Sequence, residues 1–180
     1  MISDFKKYSF AEFLLLPEIE KSEYERIGML LTPHSWGVSD VMEWPYITVK
    51  EIQSALGQAV TYHGIIDIIT ELTGQKKDKI LAKVWIDVFK FIKFVNNSIE
   101  RINEVEKNLA YEPDANEIKA GIEMFNQFGH MIVIDRLAGG DILKWEEVAQ
   151  KPFAEVFTKL KINMVDNQFM KNYQIAISKS

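Results

Sequence analysis

The sequence contains no cysteine and only three histidines in 180 residues. Without cysteine, the chain cannot form a disulfide framework, a thiolate zinc site or a cysteine nucleophile. Positive charge is also scarce, because 21 lysines and arginines face 26 aspartates and glutamates, for a net charge of -5. This balance excludes the strong electrostatic footprint of a protein that coats nucleic acid.

Long apolar runs are missing as well. The most apolar window, residues 84–95, contains Asp87, Lys90 and Lys93, whereas a membrane span needs about 18 uninterrupted apolar residues. The N-terminus does not have the pattern of a signal peptide. We therefore expect no membrane span.

What the sequence does contain is a large apolar fraction with helical spacing. Hydrophobic residues make up 47% of the chain, enough to bury a core without cross-links. No useful stretch alternates with the period of a strand, so we predict an all-α fold, a compact multi-helix bundle. We expect a single helical domain over 1–180, with short helices and a loop in 1–47 and a helical core in 48–180.

Capping boxes and helix-stop residues predict where the helices lie. Ser9 with Glu12, Thr48 with Glu51, and Asp114 with Glu117 match the capping-box pattern. Most of the predicted helix ends are placed at proline or glycine residues. The predicted helices are 9–16, 18–31, 48–74, 78–109, 114–139 with a kink near Gly129, 141–150, and one from Pro152 toward Tyr173.

Two of these helices are long and are predicted to be central. The first, over 48–74, would have about seven turns. The second carries an a/d seam over three heptads, typical of a helix that packs on a neighbour. The seam residues are Leu81, Trp85, Val88, Ile92, Val95, Ile99 and Ile102.

Aromatic residues are numerous, with four Trp and eleven Phe. The segment 32–45 combines turn-forming residues with Trp36 and Trp44, which predicts an ordered aromatic loop. Aromatics around the whole second long helix cannot all face one core, and aromatic residues are enriched in protein interfaces. The predicted interaction residues are Trp36, Trp44, Tyr46, Phe89, Phe91, Phe94 and Trp145.

The sequence lacks the common catalytic motifs, including the phosphate-binding, dinucleotide-binding and His-Glu-x-x-His patterns. The alternative hypothesis is a small helical enzyme, or ligand- or metal-binding protein, with a site near His63, Asp67 and His130. His63, Asp67 and Glu71 fall along one helix face, which is more simply interpreted as a solvated polar face. His130 and Asp135 lie near glycines that also fit a helix kink and a helix stop. We predict no catalytic residue, cofactor or metal.

A lysine-rich segment offers a third hypothesis, contact with a nucleic-acid backbone. Lys76, Lys83 and Lys90 recur at every seventh residue. That spacing is typical of the solvated flank of an a/d seam. Nucleic acid is therefore not an expected partner.

One stretch resembles a known class of proteins. The run Ile65–Gly74 ends in Leu-Thr-Gly and is followed by Lys77–Ile80 and a predicted long helix to Asn97. This pattern resembles small helical assembly and virion proteins of tailed bacteriophages, such as tail assembly chaperones. The segments Phe125–Gly129 and Leu137–Asp141 are similar to parts of such proteins.

The resemblance implies a non-enzymatic role in building or filling the phage particle, through protein–protein interaction. It implies structural or assembly proteins as partners, including further copies of the chain in an oligomer. It also implies a location in the host cytoplasm or the virion.

Overall fold

A computed structural model describes residues 7–58, 61–109 and 113–178, and the fold is all-α, as predicted. Over these residues the chain forms helices and two isolated β-bridges, with no strand. The α-helices are α1 (Phe10–Leu14), α2 (Glu18–Gly28), α3 (Tyr46–Leu56), α4 (Tyr62–Thr73), α5 (Lys77–Leu81), α6 (Trp85–Glu106), α7 (Ala115–Lys119), α8 (Met131–Leu137), α9 (Trp145–Ala149) and α10 (Phe153–Ser178). Short 3₁₀ helices cover Val41–Glu43, Lys107–Leu109, Ile122–Phe128 and Ile142–Lys144.

Two of the three predicted capping boxes are confirmed. The Ser9 hydroxyl accepts the N–H of Glu12 at 3.2 Å, and the Glu12 carboxylate accepts the N–H of Ser9 at 2.8 Å. The bonds from Ser9 lower the pKa of Glu12, because they stabilise its charged form. Asp114 and Glu117 make the same reciprocal pair at the start of α7.

The predicted helix over 48–74 is wrong in its extent, because it is two helices. The first begins at Tyr46, so Thr48 lies inside α3 and the predicted Thr48–Glu51 capping box is absent. It ends at Leu56, just before Gly57, a residue of low helix propensity. The second begins where the Thr61 hydroxyl accepts the N–H of Gly64. Val60, part of the predicted pattern, lies outside the described residues.

The predicted helix over 78–109 is also interrupted. Lys83 and Val84 leave the helical path, because Val84 forms an antiparallel bridge with Ser9. The seam itself is confirmed on α6, where the side chains of five of its residues are buried and Ile92 is half-buried. The buried ones are Trp85, Val88, Val95, Ile99 and Ile102.

The region from 114 to 139 is broken twice rather than kinked once. Gly121 and Gly129 have φ angles of 82° and 51°, in the region that favours glycine. They separate α7, the 3₁₀ helix Ile122–Phe128 and α8. The predicted stop at Gly139 and Gly140 is confirmed, since both have positive φ and α8 ends at Leu137.

Contacts between Cα atoms divide the chain into two compact units. The first comprises the residues up to Asp40 together with Glu51–Arg101, and the second comprises Val41–Lys50 together with the residues from Ile102 onward. The single helical domain over 1–180 stays a prediction.

The interior of the first unit is an aromatic cluster centred on Phe13. The Phe13 ring meets Tyr62 at a centroid distance of 5.5 Å and Phe89 at 5.3 Å, both edge-on. Trp85 packs edge-on against Tyr24 at 4.9 Å. Edge-to-face contacts are a preferred arrangement for aromatic rings and add to the stabilisation from burial.

In each unit, two helix starts are joined by a β-bridge. In the first unit the N–H of Phe10 donates to the carbonyl of Lys83 at 2.7 Å, and the N–H of Trp85 donates to the carbonyl of Tyr8 at 3.0 Å. Each of these N–H groups lies in the first turn of its helix, where backbone N–H groups have no acceptor within the helix. The bridge therefore provides hydrogen-bond acceptors for the first N–H groups of both α1 and α6.

The second unit uses the same arrangement at the starts of α3 and α10. The N–H of Tyr46 donates to the carbonyl of Lys151 at 2.9 Å, and the N–H of Phe153 donates to the carbonyl of Trp44 at 2.8 Å. The Tyr46 and Phe153 rings stack at 6.1 Å. Burial, followed by the negative charge of Glu106, raises the pKa of Tyr46.

Candidate functional site

The histidine candidates do not form a metal centre among the described residues. His63, Asp67 and Glu71 are all exposed on α4, in agreement with a solvated polar face. Asp67 forms an ion pair with Lys77. Over the part of the chain that the structure describes, no three His, Asp or Glu side chains lie together in a way that could hold a metal ion.

His130 and Asp135 belong to the second unit, whereas His63 belongs to the first. His130 is half-buried and immediately precedes α8. The Asp135 carboxylate accepts the indole N–H of Trp145 at 3.1 Å. This bond gives Asp135 a structural role in joining α8 to α9.

The seven predicted interaction aromatics are buried or half-buried. Trp44, Tyr46 and Phe91 are buried, whereas Trp36, Phe89, Phe94 and Trp145 are half-buried. The Trp36 ring stacks on Phe91 at 4.6 Å, and Lys83 Nζ lies 4.6 Å from the Trp36 centroid. The role of these seven residues as partner contacts stays a prediction, and their structural role is packing.

The lysines of the predicted flank make local contacts. Lys93 Nζ donates to the carbonyl of Met29 at 2.5 Å, and Lys90 pairs with Asp87 at 3.6 Å. Lys83 covers the face of Trp36. These contacts agree with the interpretation of the segment as a flank whose lysine stems cover apolar surface.

Among the described residues, the largest continuous group of exposed apolar side chains lies on α10. This helix has 26 residues and buries only Phe153 and Val156, both in its first turns. Beyond Leu160, every described side chain except that of Asn163 is exposed. A helix that leaves large apolar side chains in water over several turns is typical of a partner-binding element.

Five of these side chains form a stripe along one face, which we call the α10 stripe. Their spacing of three, four, four and four residues keeps them on one side of an α-helix. Phe169, near the middle, is 63% exposed and stacks on Tyr173 at a centroid distance of 6.1 Å. The α10 stripe consists of Ile162, Val165, Phe169, Tyr173 and Ile177.

The side of α10 away from the stripe contacts α7. Lys171 Nζ lies 3.7 Å from a carboxylate oxygen of Asp114 and 4.0 Å from one of Glu117. Backbone N–H groups of Glu117 and Asn116 lower the pKa of Asp114, and Lys171 adds to the effect. Because position 171 lies nearly opposite the stripe, this contact leaves the stripe open.

The open face continues toward the start of α10. A shallow depression there is lined by one side of the helix, from Ala154 through Thr158 to Ile162. Ile162 belongs to both the depression and the stripe, so the two features share a face. The rest of the second unit therefore does not cover this face near its N-terminal end.

A smaller apolar group lies on the 3₁₀ helix Ile122–Phe128. Met124, Phe125 and Phe128 are exposed there. The Phe125 ring has a cationic neighbour, since the Arg136 guanidinium carbon lies 5.3 Å from its centroid. This group is less continuous than the α10 stripe.

Sequence reasoning missed the α10 stripe as a surface. Its spacing is present in the sequence, but the same spacing is expected of a helix that packs against a core. Only the exposure of the side chains distinguishes the two cases. The predicted helix also stopped near Tyr173, whereas α10 continues to Ser178.

Comparisons of the chain with known proteins identified no relative. No protein-family model matches the chain, and no curated protein or solved structure matches it either. The search for membrane spans, made over the described residues, found no helix with both the length and the apolar character to cross a bilayer.

Proposed function

We propose that this chain is a non-catalytic protein–protein interaction protein that serves as a tailed-phage virion component or as a factor in particle or tail assembly. The observation that carries the proposal is the α10 stripe, a row of large apolar side chains exposed to water. Exposed apolar surface of this kind is costly in isolation and is stabilised when a partner covers it. The resemblance of Ile65–Ile80 to phage assembly proteins supplies the type of partner.

The expected partners are structural or assembly proteins of the particle, in the host cytoplasm or in the virion. The composition of the stripe fits this role, since aromatic residues are enriched at the centres of interfaces. Phe169 and Tyr173, stacked on each other, are the anchors we expect to contribute most.

The test is an affinity pull-down of the tagged full chain from its native source, followed by mass spectrometry. We expect portal, tail or capsid proteins with the wild type and their loss with Phe169→Glu, which places a charge in the stripe. Ile175→Glu is the matched control, because Ile175 is exposed on α10 but lies off the stripe. An eluate with only metabolic enzymes would contradict the proposal.

A further inference from the structure

We propose that the α10 stripe binds a second copy of this chain, and that the two α10 helices pair in parallel. This inference rests on the proposed function, because it names one of the partners that the stripe would contact. It makes the chain a two-fold symmetric dimer, held by the same surface on both copies.

The exposed area of the stripe reaches the lower limit for such a pair. Each of its five side chains exposes about half or more of its surface, which amounts to roughly 500 Å² per chain for large apolar side chains. Complete coverage of the stripe in both copies would bury about 1,000 Å², the lower limit for a specific interface.

Two charges next to the first stripe residues favour a second copy in the parallel orientation. Lys161 immediately precedes Ile162, and Asp166 immediately follows Val165. Over its first heptad the stripe has a/d spacing, with Ile162 and Phe169 at a positions and Val165 at a d position. In a parallel in-register pair of such a heptad, the residue before the first seam position faces the residue five positions later on the other helix. Lys161 of one copy therefore faces Asp166 of the other, and two-fold symmetry forms this contact twice.

An antiparallel pair centred on Phe169 lacks this match. Such a pair would place Lys161 opposite the region of Ile177 and Asp166 opposite Asn172, so neither charge would meet its opposite. Within one helix the two residues are five apart and do not face each other. Both are exposed, so their opposite charges are available to a second copy.

The surroundings of α10 leave room for the second helix. The contact of Lys171 with Asp114 and Glu117 lies on the opposite side of α10. The depression between Ala154 and Ile162 keeps the stripe face open toward the N-terminal end. In a parallel pair, this is the end at which both second units meet.

The first experiment measures the mass of the purified full chain by light scattering over a wide range of micromolar concentrations. We expect a dimer with twice the 20.8 kDa of the chain. Phe169→Glu should raise the dimer dissociation constant by about tenfold or more, because pairing would bury two unpaired carboxylates. Ile175→Glu, on the same helix but off the stripe, should leave it unchanged.

Orientation is tested with charge reversal. Lys161→Glu should raise the dissociation constant by about two- to fivefold, since it replaces an attraction by a repulsion at an exposed pair. The double variant Lys161→Glu with Asp166→Lys should return it to the wild-type value. Because both positions are exposed, we expect the substitutions to leave the fold intact. Far-ultraviolet circular dichroism checks this expectation.

The absence of cysteine allows a second test of orientation. Under mild oxidation, Ile162→Cys should give a disulfide-linked dimer, because a parallel pair brings the two introduced thiols together. An antiparallel pair centred on Phe169 would separate them by about 20 Å along the axis. Met164→Cys, off the stripe, is the control and should remain largely monomeric without reductant.

Three results would overturn the inference: a monomer at every concentration, a dimer that Ile175→Glu weakens as much as Phe169→Glu, or cross-linking of Met164→Cys but not of Ile162→Cys. A monomer that still retains particle proteins would leave the proposed function in place. A parallel dimer that retains no particle protein would contradict the proposed function alone.

Discussion

At the residue scale, the close approach of an aromatic ring requires glycine at position 28. A Cβ at this position would lie 2.1 Å from Phe89 Cδ1, far inside van der Waals contact. The ring cannot simply move away, because it packs edge-on against Phe13 and Trp85. The end of α2 therefore approaches α6 as closely as it does because residue 28 has no side chain.

We predict that Gly28→Ala lowers the free energy of unfolding by about 1–3 kcal/mol, the usual cost of overpacking a core. Alanine has a better helix propensity by about 1 kcal/mol, but the displaced ring outweighs that gain. The measurement is urea unfolding followed by circular dichroism. Ser22→Ala on the same helix is the control and should change stability by less than about 0.5 kcal/mol; equal effects would contradict the packing argument.

Tyr62 links stability to alkaline pH. Its hydroxyl donates to the Glu25 carboxylate. Burial, with this bond and the nearby negative charge, raises the pKa of Tyr62 above its ordinary value. In the unfolded chain a tyrosine ionises near pH 10, so the unfolded state loses its proton first as the pH rises.

The contribution of Tyr62 is therefore complete below about pH 10 and is lost as the pH rises beyond that value. We expect the urea midpoint of the wild type to fall more steeply with pH, above pH 10, than that of Tyr62→Phe. Parallel curves for the two proteins would show that the Tyr62 hydroxyl does not couple folding to alkaline pH.

At the element scale, paired helix starts organise each unit. Four helices begin with an aromatic residue that is almost completely buried, and the N–H of each donates across a bridge to the chain before another helix. The aromatic ring thus fills the core at the point where the backbone needs an acceptor. These residues are Phe10, Tyr46, Trp85 and Phe153.

Two phenylalanines of α10 test this role against each other. Phe153 is fully buried, whereas Phe169 is 63% exposed. We predict that Phe153→Ala lowers the free energy of unfolding by about 3–5 kcal/mol, and that Phe169→Ala changes it by less than about 1 kcal/mol. Thermal and urea unfolding at low protein concentration measure both. Similar losses would mean that Phe169 is buried within the chain.

Helix existence was predictable from the sequence, and helix continuity was not. Ser9 and Asp114 correctly predicted the starts of α1 and α7, because a capping box involves residues only three positions apart in the sequence. The breaks at Gly57 and at Lys83–Val84 were missed, since the apolar period continues across both. The second break depends on a bridge to Ser9, a residue distant in sequence that no local pattern can identify.

The same limit explains the predictions about surfaces. The aromatic residues singled out from the sequence are buried, as Trp44 and Phe91 are, or half-buried, whereas the exposed apolar row is on α10. Composition identifies residues that prefer to be covered. Whether the same chain covers them depends on the tertiary arrangement, and the described side chains of α10 beyond Leu160 are exposed except that of Asn163.

At the scale of the whole molecule, weak net charge and exposed apolar surface act together. A net charge of -5 over 180 residues gives two copies only modest mutual repulsion. The large apolar side chains of α10 then favour association over isolation in water. Self-association is thus expected to contribute to the measured stability of the full chain.

This coupling gives a concentration dependence that a monomer cannot show. If folded chains pair and unfolded chains do not, mass action raises the melting temperature with protein concentration. For a chain of this size, we expect about 2 °C for each tenfold increase. The measurement is a series of calorimetric scans of the wild type and of Phe169→Glu.

The variant should melt at a temperature independent of concentration, because its stripe no longer pairs. At the lowest concentration the two proteins should melt together, since Phe169 is exposed within one chain and contributes little to its core. A concentration-independent wild type would mean that the stripe stays unpaired in solution. A variant that melts lower at every concentration would instead place Phe169 in the folding of the single chain, against the exposure of its ring.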